Sequence, residues 1–482
     1  MPKKSVLAAS CLLICSLQSS AHAGDLPLDF RLTLDSLTRD QSQLEGTIGL
    51  SLLYRLDNGF YTGGTLYSGA IGNAGGFFAG GYEIGKRFML GNKLQLDSEI
   101  FVGGGGGASQ VNGDGLMLRP SLSLTYQLDS FDLMAGIAWI DISGSDISTP
   151  AFTLGLQKHF GQEREHGQAS PGSDELQLAA VKALYKTVNP EGNTKLDGQA
   201  LADIQLVGAE LELQHTSSLA FFMQASGVVA GDAEGYAEWV LGIRGYHALG
   251  PMHLFADLGA GIGGGGAVDT GGGLIANANI GVAIPVGTSL SLEAGIGYNA
   301  APGGDYSGIA PSIKLAKLFG SNQRGSSDSK SPSNWRVGAG ITYIADNDDL
   351  RKPETESTGA PGLLNVQIDY FTHPRVYLTG QAYTAFTGEA GGYQMGLLGL
   401  GYQHPVAGDL AVAGELLLGA GGGALINTGG GALVGAKLEL ELPITGNVSV
   451  SLGAGWLSAL KGDGMNGPTV NAGLDFRFAT FH

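Results

Sequence analysis

Nine histidines are the first candidates for proton transfer, and one of them, His22, falls in the opening segment. The others are His159, His166, His215, His247, His253, His373, His404 and His482. A hydrolytic site on a chain of this kind needs a serine or an acid pair beside a histidine. His247, His373 and His404 sit at or beside expected short turns, and no histidine lies near a Gly-x-Ser-x-Gly run. They read as turn and surface histidines, and no enzymatic activity is expected. Gly105-Gly106-Gly107-Ala108 and its two recurrences, Gly264 to Ala267 and Gly421 to Ala424, invite comparison with a phosphate cradle. That cradle needs Lys-Ser/Thr after the glycines and then a helix. Here Ala-Ser-Gln, Ala-Val-Asp and Ala-Leu-Ile follow and lead into strands, so close approach of strand ends is the expectation. Asp346-Asn347-Asp348-Asp349 has hard-oxygen ligands but neither the glycine nor the closing glutamate of a helix-loop-helix calcium loop. It reads as a solvated loop. No metal and no cofactor are expected.

Charges at positions that alternate with apolar ones form the remaining set. They are Arg31, Glu45, Glu99 and Arg119, then Asp257, Glu293 and Lys314, then Glu415, Lys437, Glu439, Asp475 and Arg477. Unpaired ions in apolar surroundings are costly, so these should pair inside a closed lumen and plug it. Ion conduction is the other use such charges could have.

The elements that must position these side chains are strands. In the sixth segment of the first copy Leu118, Leu122, Leu124, Tyr126 and Leu128 alternate with Arg119, Ser121, Ser123, Thr125 and Gln127. The matching segments set Ala278, Ile280, Val282 and Ile284, or Val434, Ala436, Leu438, Leu440 and Leu442, against polar or tiny neighbours. A period of two with one greasy face is the signature of a strand between lipid and a polar interior. The glycine runs recur in step, and Phe160, Phe319 and Phe478 close strands at equal spacing, so the chain holds three copies of one unit. About eight segments fill each copy, giving about 24 strands. In the third they begin near Trp335, Leu363, Val376, Tyr393, Asp409, Ala432, Asn447 and Pro468. Short turns follow the even strands and longer Gly/Asp/Ser stretches follow the odd ones, as in transmembrane barrels. Asp174 to Val188 alternate poorly, which leaves a short helix open as their reading.

Lys3, Lys4, the apolar run Val6 to Leu17 and Ala21-His22-Ala23 read as a signal peptide over 1–23. Processing there would remove Cys11 and Cys15, leaving no thiol for a disulfide, a metal site or a nucleophile. No later segment approaches the roughly 20 apolar residues of a membrane-spanning helix. Yet only 15% of residues are charged and mean hydropathy is slightly positive. A net charge of −18 argues against nucleic acid, which demands clustered Lys and Arg.

On these residues each unit resembles the eight-stranded outer-membrane β-barrels. The last strand, Gly473-Leu474-Asp475-Phe476-Arg477-Phe478, resembles the terminal signal of that class, with Gly473, Phe476 and Phe478 as its markers. The tail Ala479 to His482 departs from it, since the class usually ends on the aromatic. The resemblance is generic and points to no particular family. It implies outer-membrane lipid, lipopolysaccharide and the barrel-assembly machinery as partners, with any surface ligand open. The expected organisation is a barrel over 24–160, a linker over 161–174, a barrel over 175–319, a linker over 320–334 and a barrel over 335–482. Tyr61, Tyr67, Phe101, Phe255, Tyr377, Tyr383 and Leu417 point inward beside many glycines, which suits three filled barrels; one 24-stranded ring is the alternative. The expected function is a non-enzymatic outer-membrane protein with a structural or surface-binding role, a transport or export pore being the alternative.

Overall fold

A computed structural model describes residues 27–481 apart from 39–43, 108–113, 129–130, 161–176, 191, 215–217, 288, 320–331, 346–348, 353–358, 408–409, 425, 446 and 463. The signal segment and most of the Asp346 to Asp349 run lie outside the described residues, as do His166, His215 and His482.

The described chain is all antiparallel sheet, and the sheet closes on itself three times. Barrel one contains β1 (Leu28–Leu37), β2 (Leu44–Arg55), β3 (Phe60–Gly72), β4 (Phe78–Met89), β5 (Leu94–Gly106), β6 (Leu116–Gln127), β7 (Asp132–Ile142) and β8 (Ser148–Phe160). Barrel two contains β9 (Gln177–Val188), β10 (Ile204–Gln214), β11 (Leu219–Ala230), β12 (Ala237–Leu249), β13 (Met252–Gly264), β14 (Leu274–Val286), β15 (Leu290–Ala300) and β16 (Ser307–Leu318). Barrel three contains β17 (Pro332–Ile344), β18 (Gly362–His373), β19 (Val376–Thr387), β20 (Gln394–Ala407), β21 (Leu410–Gly422), β22 (Ala432–Pro443), β23 (Val448–Ala459) and β24 (Asn466–Phe481).

Each strand pairs with its sequence neighbours, and the first pairs with the eighth. Leu32 lies opposite both Leu50 and Leu156, Lys314 opposite Leu184, and Gly340 opposite Gly473. Closure satisfies every ladder and leaves no sheet edge. Strands of 10 to 16 residues meet the roughly 9–11 needed to cross a bilayer obliquely. Within each barrel, turns such as 56–59 and 90–93 follow even strands, and the longer connections follow odd strands at the opposite end.

Residues 177–188 are strand β9, so the short-helix reading of that stretch is wrong. Its pattern is weak because Ala183 and Thr187 occupy the outward row, where larger apolar residues would have made the alternation plain. β17 begins at Pro332, inside the stretch read as linker.

Candidate functional site: three filled lumens

Period-two alternation sends one row of each strand outward and the other into a lumen about the width of its own side chains. Among the twelve lumen candidates, eleven point inward and one does not. Arg31, Glu99 and Arg119 are buried in barrel one, Asp257, Glu293 and Lys314 in barrel two, and Glu415, Lys437, Glu439 and Asp475 in barrel three. Arg477 enters from the turn-side mouth, 40% exposed, and pairs with Glu441. Glu45 faces out. Irregular register at Leu44, Gly46 and Thr47 inserts a bulge at the start of β2, reversing parity so that Leu44 is buried and Glu45 exposed.

Through the body of each lumen the ions neutralise one another. Arg31 donates to Glu83 at 2.8 Å and to Glu99, while Arg119 grips Asp35 through two nitrogens at 2.8 and 2.9 Å. Nearer the mouth Asp29 meets Arg87 at 3.1 Å, Arg55, and His159 at 2.6 Å. Arg244 serves barrel two, bonding Glu210 at 2.6 Å, Glu212 at 2.7 Å and Asp257 at 2.6 Å. Lys182 adds Glu212 at 2.6 Å and Glu293 at 2.8 Å, and Lys186 meets Glu238. In barrel three Arg336 binds Asp369 at 2.6 Å and Glu441, while Lys437 bridges Glu415 and Glu439 at 3.0 Å each. Desolvation of such ions is offset only where partners are this complete.

Asp29, Asp35, Glu83, Lys182, Lys186, Glu210, Glu238, Arg244, Arg336 and Asp369 were not singled out from sequence. The parity that located Glu99 would have found most of them, since each sits in the inward row of its strand.

At the loop-side mouth the packing is mainly apolar. Connections fold back and place a side chain in the mouth: Phe77 and Ile147 in barrel one, Leu201, Val268 and Tyr306 in barrel two, Leu350, Ile426 and Met465 in barrel three. They pack on inward strand residues such as Tyr67, Phe101, Phe222 and Tyr383. Arg351 fastens two connections over barrel three, donating to the carbonyls of Glu389 at 3.0 Å and Gly359 at 3.2 Å. Burial pushes the hydroxyls of Tyr236, Tyr306 and Tyr393, in these connections, above their ordinary range, which keeps them neutral.

His159 holds Asp29 at one ring nitrogen and Asp132 at the other, 2.6 and 2.7 Å away. Both nitrogens are thereby occupied by carboxylates, an arrangement that leaves neither to activate a nucleophile. Among the described residues no cluster of three or more His, Cys, Asp or Glu is placed to hold a metal. The glycine runs end β5, β13 and β21 with no helix behind them and press against a neighbouring barrel.

The outer wall is the inverse of a soluble surface. Leu416 is 70% exposed, Leu438 65% and Ile280 63%. Exposed Trp139, Tyr298 and Trp456 stand near the loop-side strand ends, and Phe88, Tyr126 and Tyr402 near the turn-side ends. An apolar band between two aromatic girdles marks the barrels that sit in bilayers. The architecture is that of the outer-membrane β-barrel class. No helix among the described residues is long and apolar enough to cross a membrane.

No protein-family model matches the sequence, and no curated relative matches it either. Similar solved structures include OpdQ of Pseudomonas aeruginosa, at 10% identity over 94% of this chain and 98% of that one, with a TM-score of 0.22. The outer membrane protein OpdK of the same organism gives 10%, 94%, 98% and 0.22. The siderophore receptor PirA of Acinetobacter baumannii gives 10%, 95%, 81% and 0.30. Likeness at this level transfers nothing of those proteins to this chain.

Proposed function

We propose that this protein resides in the outer membrane as a non-conducting, non-enzymatic barrel assembly whose loop face does structural or surface-binding work. The observation that carries the reading is that each lumen is stoppered twice, by mainly apolar side chains at the loop-side mouth and by a paired ion network through the body of the lumen. An eight-stranded barrel has room for its own side chains and little else. A transport pore would need an open lumen, whereas residues such as Arg31, Arg119 and Arg244 lie across these with at most 1% exposure. The apolar band and girdles support residence among membrane lipids and lipopolysaccharide. The terminal pattern of Gly473, Phe476 and Phe478 in β24 supports delivery by the barrel-assembly machinery.

Purified protein in planar bilayers should give no nanosiemens-scale steps, and reproducible large steps would overturn the non-conducting reading. Membrane residence has its own test. Leu438→Arg places a cation on the outward face near mid-strand, at a cost of roughly 2–4 kcal/mol if that face meets lipid. The variant should be depleted from outer-membrane fractions, while recovery at wild-type level in its compact, heat-modifiable form would remove the lipid-facing assignment.

A further inference from the structure

The three barrels touch one another, and each contact uses the same two parts of the repeat. The connection after the third strand of one barrel meets the end of the fifth strand of the next. In the first seam, a Cβ on Gly76 would strike the amide nitrogen of Gly265, and the Gly75 N–H donates to the Gly271 carbonyl at 2.9 Å. In the second, a Cβ on Gly422 would lie 2.5 Å from the Gly235 Cα. In the third, a Cβ on Gly106 would lie 2.6 Å from the Gly392 nitrogen. The direction is constant: one onto two, two onto three, three onto one. Head-to-tail contacts of one kind either run on indefinitely or close, and here they close after three.

Polar contacts lock the seams. Glu234 of barrel two accepts from the Thr428 hydroxyl at 2.6 Å and its N–H at 3.3 Å, and pairs with Lys352 at 3.1 Å. Thr384 of barrel three donates its hydroxyl to the Gly104 carbonyl at 2.7 Å. Tyr82 of barrel one donates to the Asn365 carbonyl and accepts from the Gly340 N–H at 3.1 Å. Asp114 accepts from the Glu389 N–H at 3.2 Å. In hydrocarbon, lipid tails are as apolar as side chains, so close backbone approach over small residues and hydrogen bonds are what hold segments together.

We infer that this recurring face is a trimerisation surface whose partner is another copy of the same eight-strand unit. The barrels are held by their own faces, and the segments joining them are dispensable once the ring has closed. At Gly104, Gly106, Gly264 and Gly422 a side chain would stand where the neighbouring barrel's backbone lies.

The test uses the full chain, with specific protease sites placed within 161–176 and 320–331 and cleaved after assembly and extraction in mild detergent. The three fragments should elute together as one particle of intact size. Gly422→Leu and Gly104→Leu probe the seams without left-handed backbone at the substituted position, since neither glycine carries a positive φ. Together the two substitutions break both seams of barrel three, so the double variant should stay together uncleaved and lose barrel three on cleavage, whereas Gly91→Ala, at a turn where a Cβ meets nothing within 4 Å, should behave as wild type. Separation of the wild-type fragments on cleavage, or continued association of all three in the cleaved double variant, would overturn the inference. The wild-type result decides the matter even where a leucine variant fails to assemble.

Discussion

Barrels one and three solve the inside of the lumen one way and barrel two another, at the same place in the repeat. An acid stands on the fifth strand of each: Glu99, Asp257 and Glu415. In barrel one the pair facing each other across the third and fourth strands is Tyr61 and Gly85, and in barrel three it is Tyr377 and Gly401. The missing side chain gives the ring its space, because a Cβ on either glycine would run into the tyrosine. Each hydroxyl then reaches the acid, Tyr61 to Glu99 at 2.7 Å and Tyr377 to Glu415 at 2.9 Å. Barrel two has the reciprocal pair, Ala220 facing Arg244. The large group has moved to the opposite strand, and it meets Asp257 directly as a charge. What recurs is filled volume and a satisfied acid, with residue identity free to change so long as both partners change together.

The sharpest way to break that equivalence is Arg244→Met. It leaves Glu210, Glu212 and Asp257 facing one another with Lys182 and Lys314 as the nearest cations. Removing one partner of a buried ion pair costs about 3–5 kcal/mol. A large drop in the urea midpoint of the folded, heat-modifiable form is expected, and a wild-type midpoint would mean that the lumen is wet enough to hydrate those acids. Tyr61→Ala tests the volume half, with a cavity cost in the range of about 3–5 kcal/mol seen for large aromatics. Adding Gly85→Arg rebuilds the barrel-two pair inside barrel one and should recover part of the loss. A double variant no better than the single one would show that the two solutions are not interchangeable, the existing Arg31 and Arg119 being the reason to look for. The smallest effect is expected from Tyr61→Phe, which removes the hydroxyl at Glu99 for about 1–3 kcal/mol by the same midpoint. The same change at outward Tyr126, 48% exposed, should do almost nothing.

Much of this was legible in the chain. Parity gave the outward rows of β6, β14 and β22, and the recurring glycine runs and phenylalanines gave three copies of eight strands. Two failures have one cause. Glu45 was misplaced because a bulge changes parity without changing composition, and β9 was obscured because small outward residues hide a parity that is present. The swap between Tyr61–Gly85 and Ala220–Arg244 is invisible along the sequence, since its logic is the cross-strand pairing. The glycine runs announced close approach but not to what, because what they approach lies in another copy.

The ring has a joint that differs from the other two in a way unrelated to its chemistry. Barrels one and two, and two and three, are consecutive along the chain, but the contact of Gly392 with Gly106 and of Thr384 with Gly104 joins the last copy back to the first. A chain interrupted anywhere before β19 has nothing to offer that joint, and its first barrel keeps the Gly104 carbonyl without the Thr384 hydroxyl. Closure is thereby written into the shape: the circumference is without a gap only when the first and third copies are both present.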